Sequence, residues 1–274
     1  MVLVGPQCDP VAPLHALLSF TGSTAAGKAV ARACIERMAR FTLELGGKSA
    51  AILLDDVRLD KALLALAPFT MPMSGQICFA QTRILAPRSR VDEVAHAYSA
   101  VMAGLTVGDP WQETTHLGPV ANARQLGRVT DYVEIAKAEG ARLTTGGARP
   151  AERNKGFFFE PTVFVDVTPD MRIAREEVFG PVVAVMAYDD IDDAVRIANA
   201  TDFGLSGSVF TEDVERGGAV ARRINTGNMT VNGLEVVPNV PFGGTKMSGI
   251  GREGGPEGLE AFLESKAVYM PAAG

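Results

Sequence analysis

Cysteine, histidine and long apolar runs are all scarce in this 274-residue chain. Each shortage excludes something. Three cysteines, Cys8, Cys34 and Cys78, are too few and odd in number for a disulfide framework. They fit a reducing, cytoplasmic setting in which a thiol stays free to react. The three histidines, His15, His96 and His116, lie far apart, and none stands at ligand spacing from another histidine or a cysteine. No metal site is therefore expected. The longest apolar runs, such as 50–54, fall far short of the roughly 20 residues that span a bilayer. The opening Met1-Val2-Leu3-Val4-Gly5 has neither the basic region nor the apolar stretch of a secretory signal. No basic stripe is present and the net charge is −6, which argues against nucleic acid as a partner. At 47% hydrophobic and 21% charged residues, the chain has the composition of a folded globular protein.

Short β-rich runs alternate with helical stretches. Strands are expected at Val2–Val4, Leu17–Phe20, Phe41–Leu45, Ala50–Leu54, Thr82–Ala86, Thr162–Val165, Val182–Ala187, Gly207–Phe210 and Met229–Asn232. Helices are expected at Ser23–Arg40, Leu59–Phe69, Asp92–Leu105, Ala121–Glu139, Ile191–Ala200 and Val214–Ile224. This alternation points to an α/β fold with a mainly parallel sheet. A doubly wound sheet carries its first glycine-rich turn near its start. Nothing before Leu17 supplies one, so the chain reads as beginning inside a domain.

Five segments carry candidate chemistry. In Phe20-Thr21-Gly22-Ser23-Thr24-Ala25-Ala26-Gly27 a strand runs through a glycine and a serine into a helix. Helix N-termini present unpaired N–H groups that suit a phosphate; taken alone, the segment reads more readily as a plain glycine turn with a serine cap, since short glycine motifs have many false positives. In Glu44-Leu45-Gly46-Gly47-Lys48, Glu44 stands at the carboxyl end of a strand, where α/β sheets bind ligands. Burial there would raise its pKa and make it a base near neutral pH; the alternative is a solvated acid. Cys78 lies in Ser74-Gly75-Gln76-Ile77-Cys78-Phe79, on a loop at the edge of the sheet. A lone cysteine among apolar neighbours is usually inert, and Cys34, inside a helix, reads that way. Glu176-Glu177-Val178-Phe179-Gly180-Pro181 is a helix end or a ribose-holding acid beside an aromatic. The glycine-dense stretch from Pro241 to Glu253 reads as a structural loop closing an active-site mouth.

Taken in order, these motifs resemble the aldehyde dehydrogenase superfamily: Phe-Thr-Gly-Ser-Thr, Glu-Leu-Gly-Gly-Lys, Gly-Gln-x-Cys, Glu-Glu-x-Phe-Gly-Pro and Pro-Phe-Gly-Gly-x-Lys-x-Ser-Gly. The interval of 34 positions from Glu44 to Cys78 matches the family's spacing of base and nucleophile. The resemblance implies the hydrolytic, NAD- or NADP-dependent branch, with Cys78 attacking an aldehyde and Glu44 activating the water that releases the acid. It implies that the Cys78 N–H forms half of an oxyanion hole. Gly22, Ser23 and Gly27 would lie by the pyrophosphate, Leu45 near the nicotinamide, and Glu177 on the ribose with Phe179 beside it.

The implied fold is a parallel-sheet catalytic domain with an incomplete Rossmann-type cofactor domain. Residues 1–45 would form part of that cofactor domain, 46–246 the catalytic domain, and 247–274 a return segment ending in a strand, Ala267–Met270. That strand would pair subunits of a homo-oligomer, a dimer or tetramer. The family's opening Pro-Trp-Asn segment, whose asparagine completes the oxyanion hole, has no counterpart here, and loss of one such donor costs about 100- to 1000-fold in rate. The competing expectation is therefore a catalytically weak or idle module, or part of a split enzyme. Ile77 and Phe79 hint at an apolar aldehyde.

Overall fold

The computed structural model describes residues 17–153 and 155–271. The expected strand Val2–Val4, together with Cys8 and His15, lies outside them. β1 (Leu17–Thr21) ends at Gly22, and Ser23 caps the next helix, its Oγ accepting from the Ala26 N–H at 3.2 Å. α1 (Thr24–Ile35) stops short of the expected Arg40. The Ala39 N–H donates to the Cys34 carbonyl and the Met38 N–H to the Ile35 carbonyl, with Met38 at φ +53°. This is a Schellman ending, usually built on glycine. Here a methionine adopts the left-handed conformation, so residue type gives no stop signal. Arg40 then opens β2 (Arg40–Glu44), parallel to β1.

The next five elements fall within a residue or two of expectation: β3 (Ala50–Leu53), α2 (Leu59–Thr70), β4 (Arg83–Pro87), α3 (Val91–Ala103) and α4 (Ala123–Ala138). β5 (Arg142–Thr145) was not expected; its Arg-Leu-Thr-Thr sequence is half-exposed and pairs antiparallel with β6 (Thr162–Val165). The single turn α5 (Arg172–Arg175) precedes β7 (Val182–Tyr188) and α6 (Ile191–Asn199). β8 (Phe203–Gly204), β9 (Gly207–Phe210), α7 (Val214–Ala221), β10 (Thr230–Val231), β11 (Thr245–Lys246), β12 (Gly249–Ile250) and α8 (Gly255–Glu260) complete the chain. Two-residue strands are too short to show a periodicity, which is why β8, β11 and β12 were not foreseen.

Seven strands form one sheet in the order β10-β9-β3-β4-β7-β6-β5, parallel except for β5. Its inner strands are buried on both faces, as parallel sheets require. Alternation along β3 sends Ala51 and Leu53 to one core, with Leu63, Leu66, Val94, Tyr98 and Met102 of α2 and α3. Ala50 and Ile52 go to the other, with Val129 and Val133 of α4, Ile197 of α6 and Val220 of α7. The α/β expectation holds. A second sheet, β1-β2-β12, packs α1 through Leu18, Val30, Cys34, Leu43 and Leu45. Residues 267–270, expected as a strand, pair with no strand among the described residues, and Tyr269 in that stretch is 93% exposed. No described helix is long and apolar enough to cross a membrane.

Arg83, buried at the start of β4, ties the large sheet to α6. Its guanidinium donates to the carbonyls of Lys48 (2.9 Å), Ile197 (3.0 Å) and Ala198 (2.9 Å), two of which are carbonyls of the last helical turn. Arg83→Met would remove three buried hydrogen bonds, taking the side-chain donor from the Lys48 and Ala198 carbonyls and leaving Ile197 only the Ala200 N–H. We expect it to cost about 3 kcal/mol or more, read as a fall in urea midpoint with the slope unchanged.

Candidate active site

Glu44 closes β2, and only residues 45–49 separate it from β3. The carboxyl end of the small sheet therefore abuts the amino end of the large one. β12 folds back antiparallel onto β2, opposite Leu43 and Glu44, and the Leu45 N–H donates to the Ser248 carbonyl at 2.9 Å. A side chain at Gly243 would come within 2.5 Å of Glu44 Oε1, so the glycine-dense stretch from Pro241 lies directly on this carboxyl. Glu44 is 4% exposed, and neither carboxyl oxygen has a hydrogen-bond partner among the described residues. A charge buried without partners is costly, so the group holds its proton. Burial, reinforced by the neighbouring Glu253 and opposed by Arg252, pushes its pKa up to about 8.

The two glycines that follow make room for the rest of the site. The Gly47 N–H donates to Glu177 Oε1 at 3.0 Å. A Cβ on Gly46 would collide with the Glu177 carboxylate, and one on Gly47 with the backbone carbonyl of Cys78. Glu44, Glu177 and Cys78 thus converge on one crossing of the chain. Lys48, buried next in sequence, has its pKa lowered to about 7 by burial and by Arg83, while Glu177 and Glu176 oppose that shift.

Cys78 is half-buried. Its loop feeds β4, which has β3 and β7 on either side; it stands at the amino end of a central strand, a correction to the expected sheet edge. Met73, Ser74 and Gly75 are all left-handed, at φ +50°, +59° and +74°. Ser74 Oγ donates to the Gly118 carbonyl at 2.8 Å, and Gln76 Oε1 accepts from the Ala121 N–H at 2.8 Å. These bonds are what the Ser-Gly-Gln before Cys78 provides. Burial first, then the charges of Glu177 and Glu44, push the Cys78 thiol up to about 11; the N–H groups of Cys78 and Phe79 oppose the rise.

The acids of the third motif separate in role. Glu176 points to Arg172, which grips both its oxygens at 2.9 Å, and to the Tyr132 hydroxyl at 2.5 Å. Those bonds hold its pKa down at about 2. Glu177 turns the other way, to Gly47, and burial raises its pKa. Phe179 is partly exposed with φ +60°, a conformation that costs of order 1–3 kcal/mol in a residue other than glycine. Sequence reasoning missed the side chains of α4 that grip this turn, Gln125 and Arg128. They share a face with Tyr132, but only the tertiary fold shows what that face meets.

A cleft of about 1450 Å³ runs from Thr21–Ala25 past Glu44 and Leu45 to Cys78, Glu177 and Phe179. Gly22 and Ser23 are exposed at its wall, and the first turn of α1 carries no acidic residue, leaving the helix N-terminus suited to an anion. Gly27 is placed differently from expectation. It is buried on α1, where a side chain would come within 2.5 Å of Leu45 Cδ2, and it serves helix packing behind the cleft. Among the described residues, no group of three or more His, Cys, Asp or Glu could hold a metal ion.

A sequence profile of the aldehyde dehydrogenase family matches residues 11–268. Geranial dehydrogenase of Castellaniella defragrans is 45% identical over 253 residues, covering 92% of this chain and 52% of that protein. A betaine aldehyde dehydrogenase of Rhizobium leguminosarum is 41% identical over 260 residues, covering 94% and 53%. Among solved structures, a Mycobacterium tuberculosis aldehyde dehydrogenase complexed with NAD+ superposes with TM-score 0.94 at 46% identity, over 96% of this chain and 54% of that one. A mutant aldehyde dehydrogenase C of Pseudomonas syringae, complexed with NAD+ and octanal, gives 0.93 at 43% identity, over 96% and 55%. The chain spans about half the length of the curated relatives it matches.

The two glycines of the crossing differ in what a methyl group would meet. At Gly46 it meets the end of a flexible side chain; at Gly47 it meets backbone. We expect Gly47→Ala to destabilise by about 1–3 kcal/mol and Gly46→Ala by clearly less, measured by urea unfolding.

Proposed function

Since the chain belongs to the aldehyde dehydrogenase family, we propose that it carries the machinery for oxidising an aldehyde to a carboxylic acid with NAD or NADP. Cys78 is the nucleophile and Glu44 the general base. The observation that carries this reading is a half-buried cysteine in a cleft beside a buried carboxyl that has no partner and a pKa near 8. The cleft also fits a nicotinamide nucleotide. The open N-terminus of α1 at Gly22 and Ser23 suits a pyrophosphate, Leu45 on the cleft wall would lie near the nicotinamide, and Glu177 beside the exposed Phe179 suits ribose hydroxyls. When bound, the nicotinamide accepts hydride from the substrate carbon.

The chain's own residues do the rest. Cys78 gives up its thiol proton to solvent, Sγ bonds to the aldehyde carbon as the carbonyl π bond opens, and the Cys78 N–H stabilises the oxygen that becomes anionic. Loss of hydride leaves a thioester on Cys78. Ionised Glu44 takes a proton from the water that attacks the thioester carbon; the C–S bond breaks and the acid departs. At neutral pH Glu44 is largely protonated, which removes one of the two negative charges opposing a Cys78 thiolate.

Two sheets joined through Gly46 and Gly47 support dividing the chain into 1–45, 46–246 and 247–274, the last returning through β12 to the small sheet. An apolar aldehyde is favoured by Ile77, Phe79 and the Phe242 ring packed edge-on to Phe79 at 6.1 Å, and by the octanal held by the Pseudomonas syringae relative. The free thiols Cys34 and Cys78 support a cytoplasmic location. The exposed Tyr269 and Met270 support pairing of the C-terminal segment in a homo-oligomer.

The test is reduction of NAD or NADP by the purified chain with aliphatic aldehydes, followed by absorbance. We expect turnover that disappears in Cys78→Ala. Thiol labelling of Cys78 without turnover would instead favour the idle-module reading. In Glu44→Gln, release of the thioester should slow by about 100-fold or more. Because the Glu44 pKa is raised, its base form is present above about pH 8 and is lost as pH falls. The deacylation rate of the unmodified chain should therefore rise through about pH 8 and level off, and Glu44→Gln should abolish that dependence.

A further inference from the structure

Glu176 and Glu177 face opposite ways, and the turn that carries them is gripped at its backbone from α4. Arg128 donates to the Glu177 carbonyl through Nη2 and to the Val178 carbonyl through Nε at 3.1 Å. Gln125 Nε2 donates to the Val178 carbonyl at 3.1 Å and the Phe179 carbonyl at 2.6 Å. Three successive carbonyls are thus held from one helix face. Arg128 is itself fixed, its guanidinium lying 4.9 Å over the ring of Tyr132, whose hydroxyl holds Glu176. The left-handed Phe179 ends this stretch, and such a conformation persists only where the surroundings impose it. On the far side, the Glu177 carboxylate meets the Gly47 N–H.

We propose that Arg128 is a positioning residue for Glu177: by holding the carbonyls of Glu177 and Val178 it delivers the Glu177 carboxylate to the Gly47 N–H, beside Cys78. This rests on the reading of Cys78 and Glu177 as site groups. Lysine would keep the charge of Arg128 but not its longer, rigid planar fork, whose Nη2 and Nε are set apart to meet the carbonyls of Glu177 and Val178 separately; a single Nζ on a flexible stem does not reproduce that spacing. The role therefore separates from a purely electrostatic one.

Cys78 itself reports on the arrangement. The charged groups acting on it are Glu177 and Glu44; Lys48 and Arg128 act on Glu177, and Glu253 and Arg252 act on Glu44. Below its midpoint, a thiol alkylates in proportion to its thiolate fraction, so one unit of midpoint is tenfold in rate. The experiment is alkylation of the full chain by iodoacetamide from neutral to alkaline pH, with Cys78 followed by peptide mass spectrometry. Thermal unfolding confirms that each variant is folded.

Glu177→Gln should speed Cys78 alkylation about three- to tenfold at a given pH. Arg128→Met and Arg128→Lys should each reproduce most of that gain. Arg128→Met added to Glu177→Gln should add nothing further, the signature of two residues acting through one interaction. If Arg128→Met does not fold, Arg128→Lys carries the same comparison. Arg128→Lys matching the unmodified chain, or Arg128 and Glu177 effects that simply multiply, would overturn the proposal while leaving the site reading intact. No change with Glu177→Gln would overturn both, because Glu177 would then not face Cys78.

Discussion

The site depends on how closely two stretches of backbone approach at Gly46 and Gly47. One stretch links the small sheet to the large one; the other is the Cys78 loop. With hydrogen in place of a side chain at both positions, the Cys78 carbonyl and the Glu177 carboxylate can lie against the link. Any larger residue at Gly47 would move the cysteine backbone. The remaining structure serves to hold the two sides of this approach. Arg83 pins the far end of the link to α6, Ser74 and Gln76 anchor the cysteine loop, and α4 holds the turn behind Glu177.

The electrostatics follow from that geometry. Two carboxyls near one thiol, all poorly solvated, cannot all be charged at once. Glu44 yields by keeping its proton to about pH 8, and Cys78 by keeping its own to about 11. Glu177 has the Gly47 N–H and the buried Lys48 to help it. The third acid nearby, Glu176, is removed from the contest by Arg172 and Tyr132 and serves the scaffold. One pair of adjacent glutamates thus supplies a structural anchor and a group facing the cleft.

Much of this was legible in the residues. Strand alternation put Glu44 at a strand end, and β-α alternation gave the parallel sheet. Other features were hidden for physical reasons. The end of α1 rests on a left-handed methionine, where pattern reading looks for glycine. Gly27 stands in a phosphate-like motif yet faces Leu45, because a helix turns its residues to different sides. Gln125 and Arg128 look like an ordinary polar helix face, and only tertiary packing sets them against the Glu177 turn. The loop of Cys78 enters the middle of the sheet because strand order departs from sequence order, which local patterns do not encode.

The account turns on Glu44 being a buried, unpaired carboxyl that titrates near neutrality. Carbon-13 NMR of the chain labelled at the glutamate side-chain carboxyls, recorded across the acid-to-alkaline range beside Glu44→Gln, tests this directly. One carboxyl should titrate near pH 8 and be missing from the variant. If the signal lost in Glu44→Gln titrates instead near 4.5, the ordinary value, the carboxyl is solvated, and the base assigned to this site is not there.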